Sequence, residues 1–192
     1  MKRFLLCLAI CATPALAHDG KVHTAPEGAG LDTVFEEASV AVSDAPLLDQ
    51  FGNVTTLAEA VGHGPFVLSF TYTDCESLCG LADMVLGGLL ARPDRPADLR
   101  IITLTLDPAN DRPKELLERH EAFGAPDNWI RLTGAPSDVI PLLSRNGAWD
   151  GGPIDEHRLV MIVSAGGNDN ATRVNDRSFD LERIVRLLSP GS

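Results

Sequence analysis

The 192-residue sequence has few cysteines, a shortage of basic residues and no long apolar run. Its 16 Lys and Arg face 27 Asp and Glu, so the formal net charge is −11. A chain this acidic has no electrostatic attraction for nucleic acid or for an anionic membrane surface. The apolar run over residues 4–12 is far below the ~20 residues that cross a bilayer. The sequence therefore predicts no integral membrane anchor, and its 44% hydrophobic content is typical of a globular domain.

The N-terminal residues have the pattern of a secretory signal. Lys2 and Arg3 precede the short apolar run, and Ala15-Leu16-Ala17 fits the small-x-small pattern before a cleavage site. We therefore predict a signal peptide over residues 1–17 and a protein that is soluble in the bacterial periplasm after cleavage. Residues 18–39 contain Gly, Pro, Ala and acidic residues with little periodicity, which predicts a flexible leader. The folded domain is predicted over residues 40–192.

Cleavage would remove two of the four cysteines and leave Cys75 and Cys79. In an oxidising compartment, such a pair can form a disulfide. Their spacing is C-x-x-x-C, one residue longer than the C-x-x-C of thioredoxin-type redox enzymes. Spacing alone leaves three interpretations open: a disulfide, a nucleophile with its resolving partner, or two ligands of a metal.

Apolar runs and helical periodicity alternate along the chain. A hairpin over residues 47–57 is predicted to turn at Gly52-Asn53. The other predicted strands are 66–70, 99–106, 130–132 and 159–163, and the predicted helices are 81–90, 111–123, 137–145 and 179–188. Asp111 and Ser137 are predicted to cap their helices. This alternation predicts an α/β domain with a largely parallel sheet, helices on both faces, and a site beyond the carboxyl ends of the strands.

The two cysteines follow a predicted buried strand at once. Cys79 is expected in the first turn of the next helix, with Cys75 just before it. A helix N-terminus favours thiolate, but Asp74 and Glu76 oppose it, and no basic residue lies within residues 64–91. A bound cation would reverse this bias, because its charge deprotonates thiols. Local charge therefore favours a metal site over an activated nucleophile.

His157 is the candidate for a third ligand, because it directly precedes the predicted strand 159–163. Two thiolates and an imidazole form a soft site that suits copper, Cu(I) especially. Zinc would need a fourth ligand, which Asp107 or Asp74 could supply. A surface histidine at the start of a strand is the alternative interpretation.

Three sequence blocks stand out along the chain: FTYTDCESLCG, TLDPANDRP and DEHRLV. Together they resemble the signature of the Sco/SenC copper proteins. The resemblance covers most of residues 46–188. The resemblance implies a thioredoxin-like fold with an N-terminal β-hairpin and an inserted helix and strand. It implies copper bound by Cys75, Cys79 and His157, and a metallochaperone rather than an enzyme. Two positions depart from the family pattern: Gly80 replaces a proline and Ser164 replaces an aspartate.

The resemblance also implies partners. Copper would be delivered to a cuproprotein client, such as the cytochrome c oxidase subunit that holds the dinuclear copper centre. Other periplasmic copper carriers or thiol reductants would exchange with the site. The alternative function is a thiol–disulfide oxidoreductase that reduces the copper-ligand cysteines of the client.

Four further residues are candidates for supporting roles. Tyr72 and Asp107 are expected to surround the ligands without binding the metal. His18 and His23 would lie near the new N-terminus after cleavage, where they could hold Cu(II) in an auxiliary site. His63 and His120 are expected to be structural or solvated.

Overall fold

The computed structural model describes residues 34–75, 78–175 and 180–189. The predicted signal peptide, most of the predicted leader, and His18 and His23 lie outside the described residues. The strands are β1 Val34–Ala38, β2 Leu47–Asp49, β3 Val54–Thr55, β4 Phe66–Thr71, β5 Arg100–Thr105, β6 Trp129–Gly134, β7 Val160–Ser164 and β8 Ala171–Asn175. The α-helices are α1 Leu57–Val61, α2 Leu78–Leu90, α3 Pro113–Ala122, α4 Pro136–Arg145 and α5 Leu181–Leu187, and a 3₁₀ turn spans Ile154–Glu156.

The eight strands form one sheet in the order β1-β8-β7-β4-β5-β6-β2-β3. Only β4 with β5 and β5 with β6 pair in parallel; the other pairs are antiparallel. The predicted α/β class with an N-terminal hairpin is confirmed, but the expected largely parallel sheet is wrong. A short turn joins β7 to β8, and strands joined this way run antiparallel.

Both faces of the sheet are covered by hydrophobic side chains. All six residues of β4 are buried, and alternate residues face opposite sides. Val67 packs in the same cluster as Leu86 of α2 and Ile184 of α5. Phe70 packs on the other side, in the cluster that includes Leu142 of α4. The central strand that leads to the cysteines is therefore fixed from both sides.

The structure corrects the predicted boundary of the domain. Residues 34–38 fall within the predicted flexible leader, yet they form β1 and pair along their whole length with β8. The guanidinium of Arg183 lies 3.6 Å from the ring centre of Phe35, which adds a contact between β1 and α5. The flexible-leader prediction is therefore wrong for these residues.

The two predicted helix caps are also wrong. Helix α3 begins at Pro113 and α4 at Pro136, each with proline in the first turn, where its fixed φ suits the helix and no N–H is lost. Asp111 lies before the cap position of α3, and Ser137 lies inside α4.

Within the described ranges, no helix combines the length and apolar character needed to cross a membrane.

Replacing Gly87 in α2 by alanine is expected to stabilise the protein. A Cβ added there meets no atom within 4 Å, and alanine loses less backbone entropy than glycine on forming a helix. Gly87→Ala should raise the free energy of unfolding by about 0.5 to 1 kcal/mol, measured by urea denaturation. Gly62→Ala is the control and should destabilise, because Gly62 has φ +61° and a Cβ there would lie 2.7 Å from the Arg100 guanidinium. A loss of stability in Gly87→Ala would contradict this account of α2.

Candidate metal centre

Three side chains that the sequence predicted as ligands converge at one end of the central strands. The ligand atoms of Cys75, Cys79 and His157 all lie within 4.8 Å of one another. The Sγ of Cys79 is 3.8 Å from Nε2 of His157. Cys79 and His157 are buried, whereas Cys75 is half-buried. The cluster therefore opens toward solvent through Cys75.

The start of α2 positions the two sulfurs. Helix α2 begins at Leu78, so the backbone N–H of Cys79 belongs to the first turn, where no intrahelical acceptor exists. This N–H donates to the Sγ of Cys75 at 3.3 Å. A Cβ added at Gly80 would meet no atom within 4 Å, so no packing contact requires glycine there. The helix forms around Cys79 although the expected proline is absent.

His157 is oriented by the 3₁₀ turn that precedes it. Its Nδ1–H donates to the carbonyl oxygen of Ile154 at 2.6 Å. This bond leaves the lone pair on Nε2, which faces Cys79, and such a bond is typical of metal-binding histidines. The ring also meets Tyr72 edge to face, with centroids 5.5 Å apart. The imidazole is thus oriented with Nε2 toward the sulfur of Cys79.

The electrostatics of the cluster disfavour negative charge on the sulfurs. Burial raises the pKa of the Cys79 thiol, and hydrogen bonding with Cys75 and the charges of Cys75 and Asp83 act in the same direction. The pKa of Tyr72 is raised to about 12, first by burial and then by the charge and hydrogen bonding of Cys75. A protonated thiol is a poor nucleophile. A bound cation would supply the positive charge that the cluster lacks.

Neither carboxylate proposed as a fourth ligand joins the cluster. The carboxylate of Asp107 accepts from Asn110, from its backbone N–H at 3.3 Å and from Nδ2 at 2.8 Å. Asp74 is exposed to solvent. In the part of the chain that the structure describes, the donor set therefore consists of two sulfurs and one imidazole nitrogen.

Asp111 is a site residue that the sequence interpretation missed. Its buried carboxylate accepts from the backbone N–H of Thr73 at 3.1 Å, from the Thr73 hydroxyl, and from Thr105 Oγ1 at 2.5 Å. Burial raises the pKa of Asp111, while the hydrogen bonds from the two threonines oppose that shift. Its place in the block TLDPANDRP was the available signal, but its position before Pro113 suggested a helix cap.

Asp83 is a second buried carboxylate close to the cluster. It lies on α2 one turn after Cys79 and is fully buried. Arg119 of α3 binds one oxygen at 2.6 Å, and Arg131 of β6 lies 3.3 Å from the other. The only charged residue of α2 thus faces the interior, where the pair of guanidinium groups satisfies it.

A cleft of about 600 Å³ adjoins the histidine side of the cluster. His157 forms part of its wall together with Trp149 and Glu156. The indole of Trp149 is fixed by a 2.8 Å hydrogen bond from Nε1 to the carbonyl oxygen of Gly152. A partner could therefore reach the His157 loop as well as Cys75.

The model of the SCO1/SenC family matches residues 36–145. The chain belongs to the SCO1/SenC family. The match includes both cysteines but ends before His157, which the structure brings within 3.8 Å of the Cys79 sulfur. A search of curated proteins gave no significant match.

Solved structures of Sco proteins share the fold. BsSco, described as a member of the Sco family of cytochrome c oxidase assembly proteins with a disulfide switch, is 22% identical, with a TM-score of 0.63 over 81% of this chain and 96% of its own. Yeast Sco1 with copper bound is 20% identical, with a TM-score of 0.61 over 78% of this chain and 90% of its own. ScoI from Arabidopsis thaliana with copper bound is 18% identical, with a TM-score of 0.64 over 78% and 94%. Together these structures support the thioredoxin-like assignment.

The two thiols are expected to react at very different rates. Cys79→Ser leaves the half-buried Cys75, and Cys75→Ser leaves the buried Cys79 with its raised pKa. In the folded, reduced protein at pH 8, iodoacetamide should alkylate the first variant far faster than the second, as followed by intact mass. The difference should vanish in urea. Equal rates in the folded proteins would show that Cys79 is not buried.

Tyr72 is the single tyrosine, so its ionisation can be followed alone at 295 nm. The midpoint should lie near pH 12 in the folded protein and near pH 10 in urea. Because the folded pKa is raised, the stability that this group contributes is full below pH 10 and is lost as pH rises toward 12. Circular dichroism at each pH verifies that the chain is still folded. A folded-state midpoint near 10 would place Tyr72 outside the cluster.

Proposed function

We propose that the protein binds Cu(I) through Cys75, Cys79 and His157 and transfers it to a copper-dependent client. The observation that carries this proposal is the convergence of the three donor atoms within 4.8 Å. Two sulfurs and one imidazole favour a soft ion such as Cu(I), whereas structural zinc takes four ligands. The raised pKa of Cys79 agrees with a site whose thiols lose their protons when the metal enters.

The relatives support the same choice of metal and suggest the client. Yeast Sco1 and the Arabidopsis ScoI are structures with copper bound, and BsSco belongs to a family of cytochrome c oxidase assembly proteins. We infer that the client is a cuproprotein such as the subunit that holds the dinuclear copper centre of cytochrome c oxidase. The family membership and the donor set together carry this inference.

Transfer would proceed by ligand exchange at the exposed side of the site. Cys75 is the half-buried ligand, so a client thiolate can approach the copper there while Cys79 and His157 still hold it. Replacement of the remaining ligands in turn then moves the ion without releasing it to water. After the copper leaves, the two cysteines can form a disulfide, giving two electrons and two protons to an oxidised thiol partner.

We further propose that this exchange takes place in the periplasm. The basic residues, apolar run and small-x-small pattern of residues 1–17 support a cleaved signal. His18 and His23 would then form an auxiliary Cu(II) site at the new N-terminus. The other partners would be periplasmic copper carriers and thiol reductants that restore the cysteines.

A second candidate function is thiol–disulfide exchange with the client. The 3.3 Å contact between the Cys79 N–H and the Cys75 sulfur places the two residues close enough to favour it. In this role Cys75 would attack a client disulfide and Cys79 would resolve the mixed disulfide. The raised pKa of Cys79 weighs against rapid resolution, because the thiolate is the reactive form.

Copper titration distinguishes the two functions. The reduced protein should bind one Cu(I) tightly against a competing chelator. Cys75→Ser, Cys79→Ser and His157→Ala should each weaken binding by more than about tenfold, because residues that merely orient ligands already contribute that much. His63→Ala is the matched control. His63 is exposed and lies outside the donor group, so this variant should bind Cu(I) as tightly as the unaltered protein.

Two outcomes would contradict the copper proposal. If His157→Ala binds Cu(I) as tightly as the unaltered protein, the three-ligand site is wrong. If the unaltered protein shows no stoichiometric binding but rapidly reduces a dithiol client peptide in its disulfide form, thiol–disulfide exchange is the function.

A further inference from the structure

Asp111 connects the cysteine loop to the body of the domain. Both carboxylate oxygens accept from Thr73, which lies two residues before Cys75. One oxygen also accepts from Thr105 at the end of β5. The backbone carbonyl of Asp111 accepts from Thr133 of β6 at 2.6 Å. The carboxylate of Asp111 thus attaches the loop that carries Cys75 to β5, while β6 holds only the Asp111 backbone.

The same segment also holds the helix that carries Cys79. Asp111 lies two residues before α3, and Arg119 of α3 forms the 2.6 Å ion pair with Asp83 of α2. Asp83 is one turn after Cys79. Residues 111–122 therefore contact both cysteine-bearing segments and set one relative to the other.

These contacts belong to one continuous polar interior. A cavity of about 10 Å³ lies between them and is lined by Thr73, Asp111, Arg119 and Arg131, among others. Its size allows no more than about one water molecule, so the polar groups around it are closely packed. A change at Asp111 therefore acts on a tight network with little room to rearrange.

We propose that Asp111 is a positioning residue for metal binding and for disulfide formation: by holding Thr73, it fixes the Cys75 sulfur against Cys79 and His157. This inference rests on the proposed copper function for its first effect and is independent of it for the second. Asp111 does not touch the metal ligands. It acts by limiting where the Cys75 segment can move, since partners that orient ligands typically contribute ten- to hundredfold in affinity.

A double-mutant cycle tests this role. Asp111→Asn keeps the size of the side chain but replaces one acceptor oxygen with an NH₂ donor. In the otherwise unaltered protein it should weaken Cu(I) binding about tenfold or more. In a Cys75→Ser background it should have little further effect, because the ligand that it positions is gone. An equal loss in both backgrounds, or no loss in either, would overturn the proposal.

Thr133→Val is the matched control for a loss of stability. Its hydroxyl binds the backbone carbonyl of Asp111, away from the cysteine loop. The Thr133→Val variant should have a lower melting temperature and an unchanged affinity for Cu(I). Thr73→Val, which keeps the backbone contact but loses the hydroxyl, should weaken copper binding with a smaller loss of stability. If Thr133→Val weakens copper binding as much as Asp111→Asn, Asp111 has only a structural role.

Equilibration with glutathione separates this proposal from the copper proposal. One Cys75–Cys79 disulfide forms as one glutathione disulfide is reduced to two glutathione thiols. Asp111→Asn should make the protein disulfide less favourable, whereas Thr133→Val should leave the equilibrium constant unchanged. A protein that binds no copper but shows this shift would retain the positioning role and lose the copper function. An unchanged equilibrium in Asp111→Asn would remove the positioning role whether or not copper binds.

Discussion

The antiparallel pairing of β7 with β4 is the constraint on which the site depends. Ser69 of β4 lies opposite Met161 of β7, and Phe66 lies opposite Ser164. The beginning of β7 is therefore at the same edge of the sheet as the end of β4. His157, three residues before β7, arrives beside the loop that leaves β4 with Cys75. A parallel β7 would begin at the opposite edge, and no short loop could bring the imidazole to the sulfurs.

The polar groups that support this arrangement are buried, and their pairing is what makes burial tolerable. Asp83 and Arg131 are almost completely inaccessible to solvent, and so is Asp111. An isolated charge in such a place would be strongly destabilising, and pairing and hydrogen bonding offset much of that cost. The guanidinium of Arg131 also lies 4.2 Å from the ring centre of Trp129, which gives it an aromatic surface in place of water. The contacts of Asp83 with Arg119 and Arg131, and of Asp111 with Thr73, thus hold the two segments that carry the cysteines.

The sequence predicted the parts of the molecule that local patterns determine. The central strands stood out because both of their faces are apolar, and the resemblance carried by the three blocks implied Cys75, Cys79 and His157 as the candidate ligands. Local pattern could not reveal β1 and β8, whose residues are partly polar and are stabilised by pairing with each other and with β7. It also misassigned Asp111, because an aspartate just before a proline-led helix is typical of a cap, whereas its actual partner Thr73 is 38 residues away. Partners that distant are set by tertiary structure and leave no mark in a short window.

The pairing of β1 with β8 also bears on how the domain behaves toward copies of itself. β1 covers one side of β8 with main-chain hydrogen bonds, and it carries Glu36 and Glu37 at the margin of the sheet. A form of the protein that starts after Ala38 would leave the N–H and C=O groups of β8 as an open template for another strand. Such a shortened domain would tend to self-associate, even though the cluster of Cys75, Cys79 and His157 lies elsewhere. Strand β1 therefore covers an edge of the sheet that would otherwise be open to pairing with another chain.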